Sequence, residues 1–447
     1  MKIVIVGAGS VGFHLAENLS AHNHDVVLID RDTERSTYAA NRLDCLVVND
    51  EGNNPDTLKK AGVEDADFFL SVTNSDEVNM IACFLVSAVY QKPVKIARVR
   101  NVAYAETRVM RHMLMGIDFL ANPEVEAARA IADAAVHGAT GDVRRFERTE
   151  FQLRSVLVGR KTFFKNKSIQ SIRKKLREDF LIAGIFREND VVIPSGNTII
   201  RENDRLQLVA TRDALERIFI KTGAITKKLN NILLVGGGRL GRYVIDHLMP
   251  TGRKIKVIEA DYPTCQRVSD QFPDAMVIYG NISDETIYEE EQLQKNDLII
   301  TTTGNQELNI LSGIYAKTRG VQRSIATVHS ANYLPMAVSL GIDVPISPKI
   351  SSVDAILKFI RRGNIKTVHS IFDGQAEVIE YTVDASSPMQ DKALKDIPMP
   401  ENSLIVAVNR DNKDIIPDGR FVVKNKDNII AFTKKESVEK LEETFSG

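Results

Sequence analysis

Gly7, Gly9 and Gly12 stand in "IVIVGAGSVG" (residues 3–12), after four β-branched residues and before apolar positions at helical spacing. Residues of this type at this spacing bind phosphate through backbone N–H groups. The first glycine permits a tight turn, the second lets the backbone approach a pyrophosphate, and the third lets the following helix pack closely on the strand. Ser10 and Val11 lie inside the turn and add N–H groups at a helix start, which favours negative charge. Asp30 comes 18 residues after Gly12, at the end of the next apolar run, and is placed to accept hydrogen bonds from an adenosine ribose. A carboxylate there disfavours a ribose 2′-phosphate, so NAD or an adenine nucleotide fits better than NADP.

The same chemistry recurs. "NILLVGGGRLGRYVIDHL" from Asn231 repeats "KIVIVGAGSVGFHLAENL" from Lys2, 229 residues further on, and supplies Gly236, Gly238, Gly241 and, in the place of Asp30, Glu259. "SVTNSDEVNMIA" (71–82) matches "TTTGNQELNILS" (301–312), and "IARVRNVAY" (96–104) matches "IATVHSANY" (325–333). Charge separates the two copies. Arg98 and Arg100 alternate to one face at the end of a strand, where a guanidinium fork either reaches phosphate or forms a surface pair; the repeat has Thr327 and His329. Arg239, within the second turn, is expected to restore part of that positive charge. Thr73, Asn74 and Asp76, matched by Thr303, Gly304 and Gln306, follow the fourth strand and either touch the ligand or cap the next helix.

Hydride transfer would need a proton donor or acceptor held beside the nicotinamide, and no His, Ser or Cys constellation here supplies one. The eight histidines are scattered, and Cys45, Cys83 and Cys265 form no CxxC pair. No catalytic residue and no metal ligand is therefore expected. A ligand sensor is the favoured reading; the alternatives are an NAD-dependent oxidoreductase with tandem domains and an adaptor keeping its nucleotide as a permanent structural part. The basic run of Arg160, Lys161, Lys165, Lys167, Arg173, Lys174, Lys175 and Arg177 reads as a solvated face or a docking surface.

Elements must hold these residues in place. Val/Ile-rich runs at 3–6, 26–29, 45–48, 67–72 and 95–99 alternate with helix-like segments, which argues for a parallel sheet covered on both faces. "NPEVEAARAIADAAV" (122–136) reads as an exit helix begun by proline. From about 142 to 225 strand-like alternation dominates, with one helix at 168–177. "VVIPSGNTIIRENDRLQLVA" (191–210) recurs as "DIIPDGRFVVKNKDNIIAFT" (414–433), so the smaller unit is duplicated too, after a helix expected at 351–362. The fold class is α/β: two Rossmann-like doubly wound sheets, each followed by a small α+β domain. The expected divisions are 1–135, 140–225, 229–350 and 365–447. A chain of 447 residues exceeds one ordinary core. Its 43% hydrophobic and 26% charged residues suit a soluble globular protein, and a net charge of −1 gives no global attraction to nucleic acid. The longest apolar run, "MIACFLVSAVY" (80–90), is too short for a membrane helix, so a cytoplasmic chain is expected.

This arrangement resembles the regulatory subunits of Trk-type potassium uptake systems, built from tandem regulator-of-potassium-conductance domains. "VGAGSVG", "VTNSDEVNM", "ARVR" and the paired "IPSG" and "IPDG" carry the resemblance, which spans the whole chain. It implies a protein that binds NAD, NADH and adenine nucleotides such as ATP and ADP without transforming them. It also implies a tetramer, forming a ring of eight Rossmann-like units, that gates a membrane potassium-transporting subunit from the inner face of the membrane. By that resemblance Gly7, Gly9 and Gly12 make the phosphate turn, Asp30 holds the ribose, and Arg98 and Arg100 meet phosphates; Gly236, Gly238, Gly241 and Glu259 do likewise in the second unit. The family often has a Gly-rich turn after the third strand, where this chain reads "NDEGNNPD" (49–56), with Asp50 and Glu51 at the adenine edge.

Overall fold

The computed structural model describes residues 1–446 except 22, 102, 103, 105–115, 137–142, 147, 148, 160, 161, 189, 223–228, 331, 361–364, 373 and 374. The chain divides into two compact units, one of residues 1–136 with 230–360, the other of 137–229 with 361–447.

The first unit holds two parallel six-stranded sheets of identical order. In the first copy β1 (Lys2–Val6), β2 (Asp25–Asp30), β3 (Leu46–Asn49), β4 (Phe68–Ser71), β5 (Val94–Arg98) and β6 (Phe119–Ala121) run β3-β2-β1-β4-β5-β6. Helices α1 (Ser10–Ala21), α2 (Thr33–Ala40), α3 (Pro55–Lys60) and α4 (Asp76–Val89) cover it, and α5 (Pro123–Val136) leaves it. Ile3, Val4 and Ile5 are fully buried, as a strand covered on both faces requires: Ile3 and Ile5 pack with Leu15 and Leu19 of α1, Val4 and Val6 with Met80 and Val86 of α4. Strand order reverses between β1 and β4, and the crevice at their carboxyl ends is where such sheets take ligands. The five runs read from the sequence are strands; β6 is a three-residue addition, too short to show a period.

The second unit of 137–229 and 361–447 opens with β7 (Val143–Arg145), β8 (Phe151–Leu157), α6 (Ile169–Leu176), β9 (Leu181–Arg187), β10 (Asp190–Val192), β11 (Arg205–Thr211) and α7 (Arg212–Thr222), an antiparallel sheet of order β10-β9-β11-β8-β7. The second Rossmann-like sheet, back in the first unit, has β12 (Asn231–Val235), α8 (Arg239–Leu248), β13 (Lys254–Glu259), α9 (Tyr262–Gln271), β14 (Met276–Tyr279), α10 (Glu285–Glu290), β15 (Leu298–Thr301), α11 (Gln306–Thr318), β16 (Arg323–Thr327), α12 (Tyr333–Ser339), β17 (Val344–Ile346) and α13 (Pro348–Ile360). Its order is β14-β13-β12-β15-β16-β17. The helix expected at 351–362 begins at Pro348, so proline opens both exit helices. The remaining sheet is β18 (Ile365–Ile371), β19 (Ala376–Thr382), β20 (Ser403–Arg410), β21 (Lys413–Ile415) and β22 (Asn428–Lys434), in the order β18-β19-β22-β20-β21, with α14 (Val438–Ser446) at the end.

The exit helices are exchanged. Val353, Ile356, Leu357 and Ile360 of α13 enter the core of the first sheet, and Phe359 stacks on Phe119 at 4.5 Å between ring centres. α5 packs in turn on α8 of the second sheet. Each glycine-turn helix is thus braced by a helix from the other half of the chain. The smaller sheets share a core as well: Leu153, Ala183 and Val209 pack with Val378, Ile430 and Phe432, and a Cβ on Gly184 would stand 2.3 Å from the Phe432 ring. Duplication extends to ion pairs between a half-buried arginine and a buried aspartate, Arg187 with Asp204 (2.8 and 2.7 Å) and Arg410 with Asp427 (2.7 and 2.6 Å), both two-pronged. Among the described residues no helix is long and apolar enough to cross a membrane.

Candidate functional site

The turn after β1 has the backbone that its glycines allow. Gly7 has φ 107°, and its N–H donates to Ile29 at 2.7 Å, tying β1 to β2. A Cβ on Gly12 would stand 1.8 Å from the Gly7 carbonyl oxygen, so close helix-to-strand packing fixes that glycine. At Gly9 a Cβ would meet nothing within 4 Å. Protein packing leaves the backbone bare there, as the approach of a phosphate demands. Val11 is buried in the core and Ser10 is exposed; α1 has no acid in its first turn to compete with an anion. The second turn repeats each point: Gly236 has φ 99°, a Cβ on Gly241 would lie 2.0 Å from the Gly236 oxygen, and Gly238 faces open space.

Asp30 is 8% exposed and braces the turn, accepting from the Ala8 N–H at 2.6 Å and the Asp32 N–H at 2.9 Å. Glu259 accepts from Gly237 at 2.6 Å and Asp261 at 2.9 Å. The extra methylene changes no partner, and each carboxylate keeps lone pairs for ribose hydroxyls. Asp50, at the expected adenine edge, accepts from the Thr57 hydroxyl at 2.7 Å and the Glu51 N–H at 2.8 Å; these bonds hold its carboxyl below the usual range.

At the ends of β4 and β5 the copies diverge in charge while sharing one scaffold. Asp76 accepts from the Arg100 and Asn101 N–H groups at 3.0 and 2.8 Å, and Gln306 accepts from His329 and Ser330 at 3.0 and 3.1 Å. The Arg100 guanidinium lies 3.5 Å from Asp76 and donates to the Asn74 carbonyl. Arg98 is 8% exposed and donates to the Thr73 carbonyl at 3.1 Å, while its Nε is buried with no protein partner. Burial, reinforced by the Arg100 charge, pushes the Arg98 pKa below the usual arginine value, with Asp76 opposing. An anion in the crevice would relieve that cost. Thr327, in the place of Arg98, is neutral and fully buried.

One residue in each copy escaped the sequence reading. Asn79 is fully buried and accepts from the Thr73 N–H (2.8 Å) and hydroxyl (2.7 Å), while donating to the Arg98 carbonyl (2.8 Å). Asn309 makes the same bonds to Thr303 and Thr327 at 3.0, 2.7 and 3.0 Å. These asparagines lock the ligand edge of β4 to β5 and of β15 to β16; their recurrence in "VTNSDEVN" and "TTGNQELN" was the available signal. Thr73 and Thr303 are therefore anchored to the scaffold, and Asn74 and Gly304 lie exposed.

Arg239 is the other departure. Its guanidinium donates to Glu124, at the start of α5, at 2.9 Å. The positive charge expected to serve the second turn is engaged by a carboxylate from the other half. Of the basic run, Lys165 pairs with Glu202 at 2.7 Å and Lys167 lies 3.8 Å from the Phe163 ring centre, while Arg160 and Lys161 fall outside the described residues. No cluster of metal-ligating side chains occurs among the described residues.

Duplicated glycine turns with braced carboxylates, on two parallel sheets accompanied by two small antiparallel ones, define a chain of paired nucleotide-binding domains. TrkA-N domains match residues 3–123 and 232–348, and TrkA-C domains match 153–220 and 378–446. The chain belongs to the TrkA family. It is 32% identical over 443 residues to the Trk system potassium uptake protein TrkA of Halomonas elongata, covering 97% of this chain and 95% of that protein. It is also 32% identical over 451 residues to a Trk system potassium uptake protein TrkA homolog of Archaeoglobus fulgidus, covering both completely. Among solved structures, the GsuK channel bound to NAD matches with a TM-score of 0.60 at 18% identity, over 99% of this chain and 78% of that one, a likeness of fold.

Proposed function

We propose that this chain is the nucleotide-sensing regulatory subunit of a Trk-type potassium uptake system. It binds NAD or NADH, and ATP or ADP, at two unequal glycine turns without transforming them. The observation that carries this reading is the pair of braced turns, Asp30 on Ala8 and Glu259 on Gly237, set on sheets whose exit helices are exchanged. The names of the relatives and the NAD in the GsuK channel support it. Gly7, Gly9, Ser10, Val11, Gly12, Asp30, Thr73, Asn74, Arg98 and Arg100 form the first site. Gly236, Gly238, Arg239, Gly241 and Glu259 form the second, where Arg239 meets a phosphate only by leaving Glu124.

Four domains, divided near residues 135, 225 and 350, assemble as a tetramer at the cytoplasmic face of the membrane subunit. A ligand shifts that partner only through its different affinity for two arrangements of the assembly. The test is potassium flux through a Trk-type membrane subunit reconstituted with this chain. Nucleotide is expected to change flux with the wild-type chain and to leave it unchanged with Asp30→Ala/Glu259→Ala, which disables both turns. Flux insensitive to all four nucleotides would refute the reading, and sustained NAD reduction with any metabolite would refute its non-catalytic part.

A further inference from the structure

A nucleotide with its phosphates on the turn after β12 and its ribose on Glu259, at the end of β13, runs across the carboxyl edge of the second sheet. Its base then lies toward the next strand in the order, β14. Two aromatic rings stand at that corner. Tyr279 ends β14 and pairs in register with Glu259 itself, and Tyr262 opens α9 shortly after Glu259 in the chain. Tyr262 is 57% exposed and Tyr279 62%, and their ring centres lie 5.5 Å apart at an interplanar angle of 85°. The edge-to-face pair makes an L-shaped corner, in which a planar base stacks on one ring and meets the edge of the other.

The first copy builds the same corner from polar groups. Thr33 opens α2 and Asn49 ends β3 in register with Asp30, so they occupy the places of Tyr262 and Tyr279. The Thr33 hydroxyl donates to Asn49 at 3.1 Å, and Asn49 donates to the Asp30 carbonyl at 2.9 Å. In the second copy the neighbouring polar side chains are turned back into the fold. Asp261 accepts from the Thr264 N–H and hydroxyl at 3.0 and 2.6 Å, and Asn281 accepts from the Ser283 N–H at 3.0 Å. What remains facing the base is ring surface, and stacking tolerates any base because every base has a π-face.

We propose that Tyr262 and Tyr279 are the base platform of the second site, and that this site takes purine nucleotides by the face of the base rather than by its hydrogen-bonding edge. Guanine is therefore accepted as well as adenine. This rests on the reading that the second glycine turn binds nucleotide.

Calorimetry with ADP and GDP tests this on the full chain carrying Asp30→Ala, which leaves the second turn as the site that is read. ADP and GDP are expected to bind that parent within about fivefold of each other. Adding Tyr262→Ala/Tyr279→Ala should weaken both by roughly 5- to 150-fold, the loss of a base-on-ring stack. Tyr262→Phe/Tyr279→Phe, which keeps the rings, should restore both to within about twofold of the parent. Both side chains are exposed, so thermal midpoints should stay at the parent value. A parent without a Glu259-sensitive step for either probe would refute the second site and this inference with it. An unchanged ADP affinity in the double alanine variant, or a preference for ADP over GDP beyond about fivefold, would overturn the platform and leave the site standing. An altered oligomeric mass without altered affinity would make the pair an assembly contact and overturn it equally.

Discussion

Gly9→Ala and Gly12→Ala should separate binding from folding, although both change one glycine of one turn. At Gly9 a Cβ meets nothing within 4 Å and the backbone is outside the left-handed region, so the folded state accepts it. Restricting the unfolded chain then stabilises the protein by about 0.4–1 kcal/mol. The same methyl occupies the space through which a pyrophosphate reaches the backbone N–H groups. Losing one charge-assisted bond costs about 1.5–3 kcal/mol, which is roughly 10- to 150-fold in affinity. At Gly12 the Cβ would lie 1.8 Å from the Gly7 oxygen, more than 1 Å inside contact, and its obstacle is backbone. Displacing that turn costs about 3 kcal/mol or more, by the scale of overpacked cores. Thermal unfolding should show Gly9→Ala at or above wild type and Gly12→Ala lower by roughly 5 °C or more, while calorimetry with NADH shows both weakened. A Gly9→Ala protein that binds NADH as wild type does, or a Gly12→Ala protein of wild-type stability, would refute the reasoning.

Asn79→Ala leaves the Thr73 N–H and the Arg98 carbonyl without their buried partner; about 3 kcal/mol of stability should be lost, with weaker binding at the first site alone, read by denaturant melts and calorimetry. Glu124→Ala frees Arg239 from its ion pair, so ADP should bind the second turn more tightly, several-fold at low salt and less at high salt; unchanged affinity would argue that Arg239 does not face the ligand. Glu178 accepts from Arg217 and Lys221, whose hydrogen bonds hold its carboxyl below the usual value. A depressed carboxylate contributes stability above its unfolded pKa and loses it as pH falls through the folded one. The stability gap between wild type and Glu178→Gln should therefore be constant from pH 7 to about 4.5 and close below that, as thermal melts across pH would show.

Much of this architecture was legible because it is local. β-branched runs, glycine turns and an acid at fixed distance are written in consecutive residues, and the 229-residue repeat shows each signal twice. β6 and β17, three residues each, carry no period and were invisible. The start of α13 was read three residues late, although Pro348 gave the same signal as Pro123. What sequence spacing does not encode is which distant groups meet. Asn79 reaches β5 across 19 residues, Arg239 finds Glu124 across 115, and Phe359 of α13 stacks on Phe119 of the first sheet from 240 residues further along the chain (359 − 119). The consequence for the site is specific. The second turn does contain an arginine, but an exchanged helix already holds its charge.

The central claim, two working and unequal nucleotide sites, is tested most directly by titrating NAD, NADH, ADP and ATP calorimetrically into wild type, Asp30→Ala and Glu259→Ala. Two binding steps are expected in wild type, with Asp30→Ala losing one and Glu259→Ala the other. The step lost with Asp30 should be the more salt-dependent, because Arg98 and Arg100 stand there. A single step in wild type, or two steps that survive both substitutions, would contradict the account.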